Sequence, residues 1–324
     1  MRSLVRQRPA PLFMLLVIML VVLIRGRQIL VFTVTNIANT AFTHLIMQDS
    51  AGAMPATCNA AMLESWPISL LRWSLAIDTV QPVTAFLALG RWAIHAGCRD
   101  EAILWFSQAH SSPLAAYELG QLHEAAGHIP EAVQAYQRIP AVAVAWVEAG
   151  HMAASDKNWA LARYRFEFAV RIAPENPFTH YALGEDLLYN PPQDLARGIS
   201  ELQVAAQMGY PNAYVYARIA HGYAMSGRYP QALEVLESTQ QDNALANAVR
   251  GDAYLALHAP ARAIIAYQDS LRQEPNNAWV NTNLGQAYWE SGDHERAIQA
   301  WQRALEISPG FAPALGGLQK VEQP

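Results

Sequence analysis

The sequence predicts an all-α fold, a solenoid of stacked antiparallel helix pairs behind an apolar N-terminal helix. Three observations predict it. The chain is 324 residues long, 52% hydrophobic and only 15% charged, too apolar for a disordered polymer and rich in alanine, which favours helix. A fixed spacing of small and aromatic residues recurs along most of the chain. Glycine and proline recur at matching places within that spacing, as turn and stop signals.

The N-terminal segment stands apart. Arg2, Arg6 and Arg8 precede the apolar run PLFMLLVIMLVVLI at 11–24, and Arg25 and Arg27 follow it. Fourteen helical residues span about 21 Å, short of the roughly 30 Å of a bilayer core. Including residues 9–24 and letting the arginines snorkel makes a span feasible. The same length suits the apolar part of a cleaved signal, but Arg25-Gly26-Arg27 stands where a cleavage site of small residues belongs. The reading is a single-pass anchor over residues 1–27. Three arginines and the amino terminus precede the run and two arginines follow, which favours an extracytoplasmic body; a secreted or cytoplasm-facing body is the alternative. Residues 28–69 form a linker or membrane-proximal segment, its first part apolar and rich in β-branched residues.

The recurring spacing is clearest at the end. Gly285 is followed by Ala297 twelve residues on, Trp301 four further, Ala304 three further, and a stop at Pro309. Gly251, Ala263, Tyr267 and Ser270 repeat it, as do Gly150, Ala162, Phe166 and Ala169. So do Gly120, Ala132, Tyr136 and Ile139, and Gly90, Ala102, Phe106 and Ala109. Ala220, Ala232, Leu236 and Thr239 are a weaker copy, and the Gly184 copy is stretched by two residues through NPPQD to Gly198, Leu202 and Ala205. Each unit reads as two amphipathic helices. A small residue on each lets the backbones approach, and the aromatic fills the space beside them. Gly97, Gly127, Gly227 and Gly292 permit the left-handed turn between helices. One unit cannot bury its apolar face alone, and stacking completes the core.

These residues, with Tyr223, Tyr254 and Tyr288 on the first helices, resemble the tetratricopeptide repeat, a helix-turn-helix of about 34 residues. Seven units begin near Val83, Pro113, Ala143, Pro177, Ala213, Ala244 and Ala278 and fill residues 83–310. Residues 70–82 look like the second helix of an incomplete unit that caps the N-terminal end, and residues 311–324 like a C-terminal capping helix. The resemblance implies a right-handed superhelix with a ligand groove lined by first helices. In this register the groove side carries Arg91, Tyr117, Gln121, Glu124, His151, Tyr181, Glu185, Tyr214, His221, Asp252, Trp279, Gln286 and Trp289. Tyr, Trp and Arg are residue types that anchor interfaces. Trp279 and Trp289 stand out for exposure to a ligand, being ten residues apart and so within about 80° of one helix face. The lysine-asparagine clamp by which some family members grip a terminal carboxylate is not evident: Lys157 falls in an inter-helix turn and Lys320 near the end.

Other chemistry is sparse. HEAAGH at 123–128 has the composition of a zinc helix, but its histidines are five apart and straddle the Gly127 turn, where one helical face needs a spacing of four. Arg163, Arg165 and Arg171 share one second helix, as a basic patch or a solvated face. No phosphate loop or nucleophile elbow is present, and a net charge of -5 offers no basic field for nucleic acid. No cofactor and no catalytic activity are expected. Cys58 and Cys98, the only cysteines, either pair across the first unit's turn, as an extracytoplasmic site permits, or are two unrelated thiols. The expected function is a membrane-tethered scaffold holding a peptide or protein in its groove. The alternative is an accessory subunit of a membrane enzyme or of an envelope-polysaccharide assembly complex.

Overall fold

The computed structural model of the chain describes residues 57–63, 69, 72, 75, 83–210 and 214–322. The expected anchor at 9–24, and most of the expected segments 28–69 and 70–82, lie outside these residues. Among the described residues every regular element is a helix, and none is long and apolar enough to cross a membrane. The chain divides into two compact units, one ending at Pro140 and one beginning at Ala141.

The first unit holds a short helix α1 (Ala60–Leu63) and two pairs, α2 (Val83–His95) with α3 (Arg99–Gln108) and α4 (Pro113–Ala125) with α5 (Ile129–Tyr136). Cys58 and Cys98 are joined by a disulfide, and Asn59 N–H donates to the Ala96 carbonyl at 2.7 Å, so the segment before α1 is tied to the α2–α3 turn. The core here is Leu89, Trp92, Phe106 and the alanines between them.

The second unit holds five pairs and a final helix. The pairs are α6 (Val142–Ser155) with α7 (Trp159–Ile172), α8 (Pro177–Tyr189) with α9 (Leu195–Gln207), α10 (Val215–Met225) with α11 (Tyr229–Ser238), α12 (Ala244–Ala256) with α13 (Pro260–Gln273), and α14 (Ala278–Glu290) with α15 (His294–Ile307). Helix α16 (Ala312–Glu322) packs on α14 and α15.

One steric device builds most of the pairs. A Cβ placed on Gly90, Gly120, Gly150, Gly251 or Gly285 would stand 2.4–2.7 Å from the ring of Phe106, Tyr136, Phe166, Tyr267 or Trp301 respectively. The first helix has no side chain there because the second helix's ring occupies the place. Those five rings are essentially fully buried, and burial of each contributes about 1.5–3 kcal/mol. Ala102, Ala132, Ala162, Ala263 and Ala297, one turn before the rings, are also fully buried. The stretched pair uses Leu202 in place of a ring, against Gly184.

Caps and turns set the ends. Ser112, Asn158, Asn176, Asp194, Asn243, Asn277 and Asp293 each accept a backbone N–H of the helix they precede. The turns carry a left-handed residue, with φ +76° at Gly127 and +86° at Gly292. Lys157 and His258 hold the same place at φ 59° and 58° without being glycine.

The arginines of α7 do not form a free basic patch. Arg163 reaches the buried Asp186 carboxylate on α8 and donates to the carbonyls of Asp186, Asn190 and Pro192 at 3.2–3.4 Å. Arg165 donates to the Ala149 carbonyl at 2.6 Å. The two residues added at NPPQD create carbonyls facing α7, and Arg163 satisfies them.

Candidate functional site

The second unit contains a cavity of about 830 Å³. Helices α8, α10, α12 and α14, the first members of their pairs, supply most of its wall. Ridges of small residues explain the space: Ala224, Ala244, Ala248 and Ala256 line it where larger side chains would fill it. Met225, Leu245, Leu255 and Val280 make much of it apolar, and Tyr189 and Trp279 add rings. Trp279 is 54% exposed.

Two polar groups are set into this wall. In the first, Asp252 Oδ1 accepts from the Tyr267 hydroxyl at 2.7 Å and from Asn283 Nδ2 at 2.9 Å. Burial raises the Asp252 carboxyl above its ordinary value, and the two hydrogen bonds work against that rise. Burial and the nearby Asp252 charge push the Tyr267 hydroxyl far up, so it stays a donor. Glu290 also acts on Tyr267 and lines the cavity.

In the second, the Tyr189 hydroxyl and His221 Nδ1 are 2.9 Å apart, and Arg218 Nη1 donates to the Tyr189 hydroxyl at 3.2 Å. Arg218 also lies over the Tyr189 ring, 5.2 Å from its centroid. Its Nε stands 2.9 Å from Glu185 Oε1, an ion pair without hydrogen-bond alignment. Burial lowers His221 to about 4, helped by the Arg218 charge, so the ring is neutral at pH 7. Tyr181, pushed up to about 12 chiefly by burial, stacks on Tyr210 with ring centroids 4.5 Å apart.

Of the residues expected on the groove side, His221, Asp252 and Trp279 line the cavity. Glu185 joins them through Arg218, and Gln286 through Glu290, to whose Oε1 it donates at 2.7 Å. Lys320 Nζ donates to Gln286 at 2.7 Å, so α16 borders this region. Tyr181 is buried beside Tyr210, and Tyr214 is the N-cap residue of α10. His151 is exposed on α6, with its ring 5.1 Å from that of Phe166. Arg91, Tyr117 and Gln121 belong to the first unit: Arg91 pairs with Glu118 at 4.0 Å, and Gln121 donates to the Tyr117 hydroxyl at 3.0 Å. Glu124, also in that unit, accepts from the Tyr136 hydroxyl at 3.5 Å.

Trp289 departs from expectation. Its ring packs 4.1 Å from His294 and 5.8 Å from Trp301, and it lines no part of the cavity. The offset of about 80° from Trp279 is enough to turn it from the groove to the seam with α15.

Most cavity residues were absent from the expected set, among them Asn283, Tyr189 and Tyr267. Asn283 is one turn after Trp279 on the same face, and the helical period alone would have found it. Tyr189 stands in the same relation to Glu185. Tyr267 was assigned to the core, and rightly; its hydroxyl passes between the helices to reach Asp252, which no periodicity reveals. His123 and His128, the pair of the zinc-like motif, have ring centroids 6.1 Å apart across the Gly127 turn. Among the described residues no group of three or more His, Cys, Asp or Glu is placed to hold a metal.

Glycine–ring seams repeated from pair to pair define an all-helical repeat protein. Its last pair is identifiable more closely: residues 278–311 match the tetratricopeptide repeat family. No curated protein shows significant similarity to the chain. Among solved structures, the chain is similar to pilF of Pseudomonas aeruginosa, at 20% identity over 56% of this chain and 84% of that one, TM-score 0.48. It is also similar to a tetratricopeptide repeat protein of Parabacteroides merdae, at 13% identity over 73% and 97%, TM-score 0.45. A third is YrrB, described as a TPR protein with an unusual peptide-binding site, at 16% identity over 55% and 92%, TM-score 0.41.

Proposed function

We propose that this protein is a membrane-tethered, non-catalytic scaffold that holds a segment of a partner protein in the groove of its second unit. One observation carries the reading: an open cavity of about 830 Å³ on the first-helix side, apolar with a few convergent polar groups and a half-exposed tryptophan. Tetratricopeptide repeats act generally as protein-interaction modules, and the matched repeat contributes Trp279, Asn283 and Glu290 to the cavity. Supporting the tether is the arginine-flanked apolar run at 11–24. The Cys58–Cys98 disulfide supports a body in an oxidising compartment outside the cytoplasm.

A photo-crosslinking amino acid at Asn283, compared with one at Ile265, tests the groove; Ile265 is 60% exposed on the second helix α13. The expected result is a discrete covalent adduct from position 283 and none from 265. Equal labelling from both positions would remove the groove assignment. The tether is tested in the same cells: the protein should resist alkaline carbonate and come out only with detergent.

A further inference from the structure

The cavity's charge says what chemistry its occupant carries. Asp252, Glu274 and Glu290 line it; among the described lining residues there is no lysine or arginine, and Arg218, which reaches the wall through Tyr189, is paired with Glu185. His221 is neutral there. Asp252 stands half-buried in this wall, and both of its donors, Tyr267 and Asn283, are neutral and spend their hydrogen bonds on Oδ1. Neutral donors orient a carboxylate without cancelling its charge, and a charge in an apolar setting is costly until paired. Oδ2 receives no hydrogen bond from any described residue and is not a buried orphan, so it is open to water or to a ligand. The apolar wall of Met225, Leu245 and Trp279 fits the methylene stem of a long basic side chain.

We propose that the groove selects a partner segment carrying an arginine or lysine side chain, whose cationic head pairs with Asp252 while Glu290 reinforces the field at the rim. This rests on the groove reading above and names the partner's chemistry. Asp252 is a specificity determinant, and Trp279 supplies contact area for the side-chain stem.

The test uses three pools of capped decapeptides with uncharged random flanks and a fixed central arginine, citrulline or glutamate, passed over the immobilised full-length protein. Citrulline keeps the shape of arginine and removes the charge. The arginine pool should be retained at least about tenfold more than the citrulline pool, the scale of one charge-assisted hydrogen bond, and the glutamate pool least. Asp252→Asn keeps an acceptor for Tyr267 and Asn283 and should bring arginine and citrulline within about twofold, with circular dichroism and melting unchanged. Glu290→Gln, at an exposed position, should narrow the gap partially, and it serves if Asp252→Asn fails to fold. Equal retention of arginine and citrulline, preference for glutamate, retention of no pool, or an arginine preference that survives both variants would each overturn the proposal. Trp279→Ala separates the two readings. If it abolishes retention of every pool while Asp252→Asn changes nothing, the groove stands and the charge selection falls. If it leaves all retention intact, the groove reading falls first.

Discussion

Gly251 and Tyr267 are in contact in a way that leaves a methyl group nowhere to go. A Cβ on Gly251 would stand 2.4 Å from Tyr267 Cε1, and the ring is pinned at its far end by the hydrogen bond to Asp252. Gly251→Ala gains about 1 kcal/mol of helix propensity and incurs about 1–3 kcal/mol of overpacking. The expected outcome is a lowered melting temperature together with a shifted Tyr267 signal, because relief requires the ring to move and Asp252 to lose one of its two donors. A higher melting temperature would show that the seam has slack. Titration gives a second expectation at this scale. His221 is held near 4 when folded, against about 6.5 in an unfolded chain. Below pH 6.5 the unfolded chain binds a proton that the folded one refuses, so stability falls from pH 6.5 toward 4 and levels off below. His180 acts on the other side. Its Nδ1 is 2.7 Å from Glu201 and its Nε2 2.8 Å from the Pro174 carbonyl, so both nitrogens face acceptors and the hydrogen bond to Glu201 raises the folded value. That contribution is complete below 6.5 and disappears as pH rises through the raised value. His221→Gln should flatten the acid limb of a stability–pH curve, a difference on the order of 3 kcal/mol by pH 4, and leave the alkaline limb alone.

The elements show a turn position that tolerates exceptions. Among the described residues six glycines have positive φ, and so do Lys157, Gln240 and His258; Lys157 and His258 each follow the last turn of a first helix. At Lys157 the backbone closes the helix as a glycine would: Lys157 N–H donates to Ala154 O and Asn158 N–H to Ala153 O, both at 2.9 Å. The left-handed conformation costs a side-chain-bearing residue about 1 kcal/mol. Lys157→Gly should therefore raise the melting free energy by up to about 1 kcal/mol, while Gly127→Lys lowers it by a similar amount, as read by denaturant titration. These positions also explain how much was legible in the sequence. Gly90, Gly120, Gly150, Gly251 and Gly285 were readable because a hard contact allows no alternative to glycine, and the ring sixteen residues on is its counterpart. The turns were marked most clearly where glycine fills them; the repeat spacing alone put Lys157 in its turn, and His258 was silent. The groove was partly readable, because helical period assigns a face but not its neighbour. Period put Trp279, Asp252 and Trp289 on one groove side; Trp279 and Asp252 line the cavity, Trp289 packs on His294 and Trp301, and period said nothing of Tyr267 crossing from the second helix. Arg163 looked like a surface charge because its partner Asp186 is 23 residues away on another helix.

At the scale of the molecule, stability in a repeat array comes from each pair and its immediate neighbours, so damage at one end decays along the chain. The disulfide lies at the first described pair. It joins Cys58 to Cys98 across a sequence separation of 40, and Cys98 is also the buried N-cap residue of α3. Closing a loop of that length removes roughly 4 kcal/mol of unfolded-state entropy in the chain-entropy account. Without it, the segment around α1 keeps the Asn59 N–H bond to Ala96 O as a tie to the α2–α3 turn. A Cys58→Ser, Cys98→Ser variant should lose amide hydrogen-exchange protection most in α2 and α3, less in α4 and α5, and not measurably in α14 and α15, whose core is Trp301, Tyr267 and the Gly285 seam. Groove binding should survive in the variant, because every cavity residue belongs to the second unit. Uniform loss of protection from α2 to α15 would mean that the array unfolds as one cooperative block. Loss confined to residues before Val83 would mean that the disulfide fastens the N-terminal segment and adds nothing to the first pair. The graded profile separates these cases because each helix reports its own opening.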